Sequence, residues 1–371
     1  AGTLTSGLIA GGKSTTTNVI STSLEYDGTN WSAIPSLATA KQSMGGAGAS
    51  NSSAVVFGGL TPPSNNTTAT EEYNFTANTV VPGAWSSGSN YPTILFRGAA
   101  FGTQTAGAVT GGSSNSPGAQ PSTTTTAEYD GTSWTGGGAL GTARRGLAAA
   151  GTQTAGLAFG GSGGSSDANV NNESEEYNGT GWTEGDNLTT ARQFLAGSGP
   201  QTAAIAVGGR TPPPNSAATE EYNGSSWTNG GNLATARRAG TSNGDSSNAI
   251  FSGGETAPGT QLTNVENYNG SSWTSGTAIP TGTAAWASGG PQTAVLAFGG
   301  RSPGLSAVTI GYDGTSWSTR PSMATARSMV AGTGSQTAAF VATGESPSLT
   351  NAVEEFNGET TAANVRTLTS S

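Results

Sequence analysis

Short apolar runs that end in Gly-Gly recur along the chain, each followed by a polar stretch, an aromatic residue, a turn dipeptide and a Trp. The clearest unit starts at Leu188 and reads LTTARQFLAGSGPQTAAIAVGGRTPPPNSAATEEYNGSSWTNGGN. Four short strands are predicted in it. Thr-Ala-Arg and the small residues after it form the first, and the run through Ala204, Ile205, Ala206 and Val207 to Gly208-Gly209 forms the second, apolar as a half-buried strand should be. Glu220-Glu221-Tyr222 forms the third and Trp227 opens the fourth. Asn223-Gly224 between the last two is a hairpin signal, repeated as Asp-Gly or Asn-Gly in every copy but the second, where Asn74-Phe75 stands.

The aromatic anchors set the period. Tyr26/Trp31, Tyr129/Trp134, Tyr177/Trp182, Tyr222/Trp227, Tyr268/Trp273 and Tyr312/Trp317 are each five residues apart, whereas Tyr73/Trp85 carries seven extra residues. Successive Trp residues from Trp31 to Trp317 lie 54, 49, 48, 45, 46 and 44 apart, and a last copy has Phe356 in place of Tyr with no Trp after it. A period of about 40–50 residues is the mark of a propeller or solenoid. A four-stranded unit of that length cannot bury both faces alone, so the units must stack, and radial stacking gives a propeller. Gly and Ala belong where blades crowd the axis; Tyr and Trp fill the wedges further out.

Second-strand runs number eight, at 8–12, 54–59, 107–112, 155–161, 203–209, 249–254, 294–300 and 338–344. The expected fold is therefore all-β: one β-propeller over residues 1–371 with eight four-stranded blades, sevenfold closure with one displaced unit being the alternative. The repeats fall approximately at 1–36, 37–90, 91–139, 140–187, 188–232, 233–278, 279–322 and 323–371. The first lacks a preceding Thr-Ala-Arg strand, and the tail at 364–370 is a candidate fourth strand for closure. Variable Pro-, Ser- and Asn-rich stretches at 61–70, 113–126, 161–174 and 211–219 are expected as loops on one face, where binding usually resides.

Composition narrows the chemistry. There are 59 Gly and 17 Pro, which brings disorder into consideration, but repeated burial of Tyr and Trp, on the order of 2–3 kcal/mol each, argues for a packed fold. A net charge of −9 with 13 scattered Lys and Arg offers no basic stripe for nucleic acid. No run approaches the ~20 apolar residues of a membrane helix, so membrane insertion is not expected. Ala1 in place of Met points to a processed or trimmed start. The absence of Cys and His removes thiolate chemistry, the commonest general base and the commonest transition-metal ligand. No cofactor and no catalytic residue is expected.

The order apolar run, Gly-Gly, variable loop, Tyr, short hairpin, Trp and basic residue resembles the kelch repeat over almost the whole chain. That resemblance implies a β-propeller used for protein or carbohydrate contacts. The copies of QTAxxAFGG…EEYNGSSWTxGGxLxTAR look most like kelch-like repeats in structural and tail-associated proteins of marine phages, especially those of cyanobacteria. The chain departs from the kelch pattern in its shorter Tyr-to-Trp spacing and scarcity of Lys, which sets cellular kelch partners aside. Galactose oxidases of kelch-like fold need His and a Cys-linked Tyr, both absent here. Tyr129-Asp130-Gly131-Thr132-Ser133-Trp134 is similar to the Asp box of sialidase propellers with one residue fewer, but its repetition marks a structural hairpin rather than one active site.

Arg144, Arg192, Arg237 and Arg327, with Lys41 and Arg97, and the pairs Glu71-Glu72, Glu175-Glu176, Glu220-Glu221 and Glu354-Glu355 are candidates for a ring of ion pairs between blades, set against a solvated rim. Asp167, Asn169, Asn171 and Glu173 place oxygens at alternate positions, a spacing that can wrap Ca²⁺, although a plain polar loop is the simpler reading and no metal is expected. Sequons such as Asn51-Ser52-Ser53 and Asn178-Gly179-Thr180 follow from composition. Trp286 stands outside the repeat in a unit where Thr283-Ala284-Ala285 replaces Thr-Ala-Arg; it either offers a stacking face to a sugar or fills the space left by the Arg.

The expected function is that of a non-enzymatic structural or interaction protein of a phage virion, tail- or capsid-associated. Its partners would be other virion proteins, copies of itself or host-surface glycans, and its location the virion or the extracellular space. The alternative is a secreted or cell-surface bacterial propeller that self-assembles into a matrix or filament. A glycoside hydrolase using paired carboxylates is a third, weaker class.

Overall fold

Eight four-stranded antiparallel sheets, three two-stranded pieces and no helix make up the described part of the computed structural model, which covers residues 2–3, 6–14, 18–50, 53–75, 80–114, 121–164, 166–361 and 366–370. Ala1 and the Asn51-Ser52 part of one sequon lie outside the described residues. The chain divides into two compact units where the sequence suggested a single ring of eight. One comprises residues 1–82 and 360–371, the other Gly83–Glu359.

Six sheets of the larger unit form a closed ring. Blade 1 is Ala99–Thr103, Ala106–Thr110, Thr126–Tyr129 and Trp134–Gly136, and blade 2 is Ala148–Thr152, Ala155–Phe159, Ser174–Tyr177 and Trp182–Glu184. Blades 3 to 5 repeat the order with first strands Ala196–Ser198, Thr241–Asp245 and Ala287–Gly289. Blade 6 takes Ala331–Gly334, Ala338–Ala342 and Val353–Asn357 from the end of the unit, and its fourth strand, Ala84–Ser87, from the beginning. The first strands touch in cyclic order, and blade 6 returns to blade 1.

A second ring states the same closure in hydrogen bonds. The amides of Arg97, Gly146, Phe194, Ala239, Ala285 and Met329 donate in turn to the carbonyls of Met329, Arg97, Gly146, Phe194, Ala239 and Ala285, at 2.7–3.1 Å. All six residues have φ between 53° and 59°. Left-handed backbone costs a non-glycine residue roughly 1–2 kcal/mol, which each ring bond offsets in part at about 0.5–1.5 kcal/mol.

The closing strand explains both irregular anchors of the sequence. Trp85 is in register with Phe356, as each other Trp in the ring is with its Tyr, and their rings lie 5.3 Å apart. The Trp missing after Phe356 is thus supplied by Trp85, and Trp85 is not the partner of Tyr73. Tyr73 instead pairs with the strand Arg366–Ser370, which completes the sheet of Gly45–Ser50, Ser53–Phe57 and Thr70–Phe75 in the smaller unit. The tail is a fourth strand, but of the second repeat. The first repeat makes its own sheet, Gly2–Thr3 to Trp31–Ile34, with Tyr26 against Trp31 at 5.1 Å and Trp31 half exposed.

Recurring side chains fasten each blade of the ring to the one before it. Trp182, Trp227, Trp273 and Trp85 donate Nε1 to the hydroxyls of Thr126, Ser174, Thr219 and Thr309, at 2.9–3.0 Å. Trp134 and Trp317 donate to the carbonyls of Ser89 and Thr277. Gln104, Gln153, Gln201, Gln292 and Gln336 each bridge two backbone carbonyls of the neighbouring blade. Gly111, Gly160, Gly208, Gly253 and Gly299, all with φ near 60–70°, turn the chain after the second strand; at Gly160 a Cβ would meet the Arg192 carbonyl at 2.8 Å. The Asn-Gly hairpins are four-residue loops. In the loop after Tyr222 only Gly224 is left-handed, and Asn223 Oδ1 accepts from the amides of Ser225 and Ser226.

Candidate functional site

The charges that stood out in the sequence are spent on structure. Arg144, Arg192, Arg237 and Arg327 are fully buried and pair with Glu175, Glu220, Glu266 and Glu354; the last three contacts measure 3.0, 2.5 and 2.6 Å. Lys41 and Glu71 do the same in the smaller unit at 2.7 Å. Each pair lies within one repeat, not between blades as the ring hypothesis required. The Glu also accepts backbone amides of the segment that enters the blade, Thr189 on Glu220 and Ala234 on Glu266 for example. Burial pulls the four Arg below their usual pKa and the facing carboxylate opposes it.

The next residue is the one that links blades. Glu128, Glu176, Glu221 and Glu355 accept the phenols of Tyr177, Tyr222, Tyr268 and Tyr129 across blade boundaries, the first two bonds at 2.5 Å. Phe356, which has no hydroxyl, sits in blade 6 next to blade 5, whose residue at the Glu position is Gly311. Burial and then the Glu partner raise these Tyr pKa values, to about 12 for Tyr177 and Tyr268. A phenol raised above its unfolded value of 10 contributes stability that is complete below pH 10 and lost as pH climbs through the folded value. Alkaline unfolding is accordingly expected between about pH 10 and 12, with tyrosinate absorbance appearing together with loss of far-UV signal. Ionisation of these tyrosines near pH 10 without unfolding would contradict the inter-blade bonds.

The Asp-box-like turn serves itself. Asp130 accepts the amides of Thr132 and Ser133 at 2.8 and 2.7 Å, which holds its carboxyl well below the usual range. The loop with Asp167 meets cations of the protein's own: Asp167 lies 3.2 Å from Arg97 and 2.8 Å from Arg145. Asn169 and Asn171 bond through their backbone amides, and the Glu173 carbonyl accepts from Arg144. Among the described residues no three His, Cys, Asp or Glu side chains group as a metal site. Trp286 is buried, its Cβ 2.6 Å from where a Gly300 side chain would begin, and it packs in one cluster with Ile279, Val295 and Ile310, so it fills the interior at blade 5.

Two cavities follow the ring axis. The first, about 370 Å³, is the channel between the first strands, walled by Ala, Gly and short polar residues such as Ser198, Ser242 and Asn243. The second, about 310 Å³, covers one mouth of the channel on the side of the variable loops. It is lined by all six residues of the hydrogen-bond ring, and there the backbone repeats sixfold while the side chains do not: Arg97, Gly146, Phe194, Ala239, Ala285 and Met329. Arg210, Arg238, Arg301, Asp167 and Glu255 complete the charged wall. Arg97 lies 5.0 Å over the Phe194 ring, Arg238 is 2.9 Å from Glu255, and Arg301 is 3.8 Å from Glu345. Leu147, Leu195, Trp286 and Val330 line both cavities.

Sequence reasoning reached Arg97 only as a member of the structural ion-pair set, and Leu95 occupies that place in its repeat. It missed Arg145, Arg210, Arg238 and Arg301. A signal was present: the residues just after Thr-Ala-Arg and just after Gly-Gly vary freely between copies, and they pair as bridges such as Gln193 with Arg210 and Arg238 with Glu255. Variation at fixed backbone positions marks a surface released from the repeat. No protein-family model and no curated protein matches the chain, and among the described residues no helix is long and apolar enough to cross a membrane.

Proposed function

We propose that the chain is a non-catalytic interaction propeller of kelch-like type in a phage virion, tail- or capsid-associated, whose loop face meets neighbouring virion subunits or host-surface glycans. One observation carries the binding role: unlike side chains stand at equivalent backbone positions around a single mouth, while the ionisable groups common to the repeats are consumed in structural pairs. The chain contains no His and no Cys, and in Glu175-Glu176, Glu220-Glu221 and Glu354-Glu355 both carboxylates are engaged, so these pairs are not poised for hydrolysis. The virion setting rests on the repeat's resemblance to phage proteins and on its Ser-, Thr- and Gly-rich composition. Immunogold labelling of particles with antibody to the chain tests the location: label on tail or capsid is expected, and label confined to a cell surface or extracellular matrix would favour the bacterial alternative. A glycan array separates host adhesion from contact between subunits.

A further inference from the structure

We infer that the cavity over the channel mouth is a binding site for a hydroxyl-bearing organic monoanion of monosaccharide size, of the uronate type. The inference deepens the binding reading above and rests on it.

Charge is the first ground. The chain has 11 Arg and a net charge of −9. Four Arg are sealed in the structural pairs, and Arg97, Arg145, Arg210, Arg238 and Arg301 gather on this one face. The cavity wall holds four of these five against two carboxylates, Asp167 and Glu255, so it is positive within an acidic protein. Low-dielectric walls focus such a field on anions entering the mouth.

The second ground is unspent capacity. Among the described residues Arg210 has no ion pair and no side-chain hydrogen bond, although it is partly buried; its backbone alone pairs, with Gln193. Arg301 meets Glu345 only at 3.8 Å, with both side chains about a third exposed. These two guanidiniums are available to take a carboxylate, which their planar forks match. Arg238 brings Nε and Nη2 to the same oxygen of Glu255, Oε1, at 3.0 and 2.9 Å, and no described donor meets Oε2. That oxygen is placed to accept a hydroxyl.

Size and apolar lining supply the third. About 310 Å³ is at the small end of ligand pockets and suits one sugar ring. Phe194, Met329 and Pro258 give the wall apolar surface for the ring carbons. A dianion such as sulfate or phosphate fits less well, because Asp167 and Glu255 repel the second charge.

Isothermal titration of the full chain with D-galacturonate, galactose, sulfate and N-acetylglutamate tests the site. Galacturonate should bind about tenfold or more tightly than galactose, and weaken as NaCl is raised. Arg210→Gln and Arg301→Gln should each cost about tenfold in affinity and leave the melting temperature unchanged, since neither Arg holds a strong structural contact. Equal binding of galactose, unaltered affinity in Arg210→Gln, or no galacturonate binding would overturn the site; sulfate or N-acetylglutamate binding as tightly would overturn the sugar-acid assignment. Glycan-array hits insensitive to Arg210→Gln would sink this inference and leave the binding role standing, whereas turnover of a bound glycan would sink the non-catalytic reading alone.

Discussion

Arg192→Leu is expected to lower the unfolding free energy of the propeller by about 3–5 kcal/mol, and adding Glu220→Ala should return most of that loss. Both side chains of this pair are wholly excluded from water. Removing the guanidinium leaves a carboxylate that water cannot reach, held only by Thr189, whereas removing both charges leaves a smaller apolar interior. The ring already contains that double replacement. At the corresponding positions blade 1 has Leu95 and Ala127, buried in one cluster, and blade 5 has Thr283 and Ile310. Neither blade keeps half of the pair. Urea denaturation of the two singles and the double checks the expectation; a single variant as stable as the parent would show the pair to be inert.

Trp85→Ala should be the most damaging aromatic truncation in the ring, at about 3–5 kcal/mol. Trp85 packs edge-on against Phe298 at 5.1 Å, tilts over Phe356 and donates to Thr309, so it joins blade 6 to blade 5. It also sits on the only strand of blade 6 that comes from the start of the unit, Ala84–Ser87, and therefore closes the circle without a covalent hairpin. Trp273→Ala removes a similar ring from a strand that its own hairpin still holds beside Tyr268. Hydrogen exchange should place the difference: in Trp85→Ala, protection in Ala84–Ser87 and Val353–Asn357 falls before that of the other blades. Equal loss in the two variants would mean that closure adds nothing to the stability of the ring.

The all-β class, the four-strand unit and the Tyr-Trp partnership of six repeats were legible because each rests on contacts within about 45 residues of chain; the two sheets completed by Ala84–Ser87 and Arg366–Ser370 do not. Hairpin neighbours such as Tyr222 and Trp227 need no knowledge of the rest of the molecule. The candidate site was hardly legible. A repeat is found by what recurs, and the arginines of the mouth stand where the copies disagree. The calcium reading of Asp167 failed to anticipate Arg97, 70 residues away in sequence, whose guanidinium meets that carboxylate.

The sequence by itself determined what each blade is: four short strands, an apolar second strand that ends in Gly-Gly, a tight turn and an aromatic pair at the outer edge; that each buried Arg pairs with a Glu of its own repeat, Glu266 with Arg237 among them, came from the structure. Only the tertiary structure decided how many blades make a circle and which strands close it. Six first strands meet around the axis, Trp85 completes the repeat of Phe356, and Arg366–Ser370 completes that of Tyr73. The physical reason is that ring size depends on the wedge angle between packed blades, and closure depends on pairing between segments hundreds of residues apart. Neither quantity is carried by a local pattern, and the charged mouth exists only once the ring has closed.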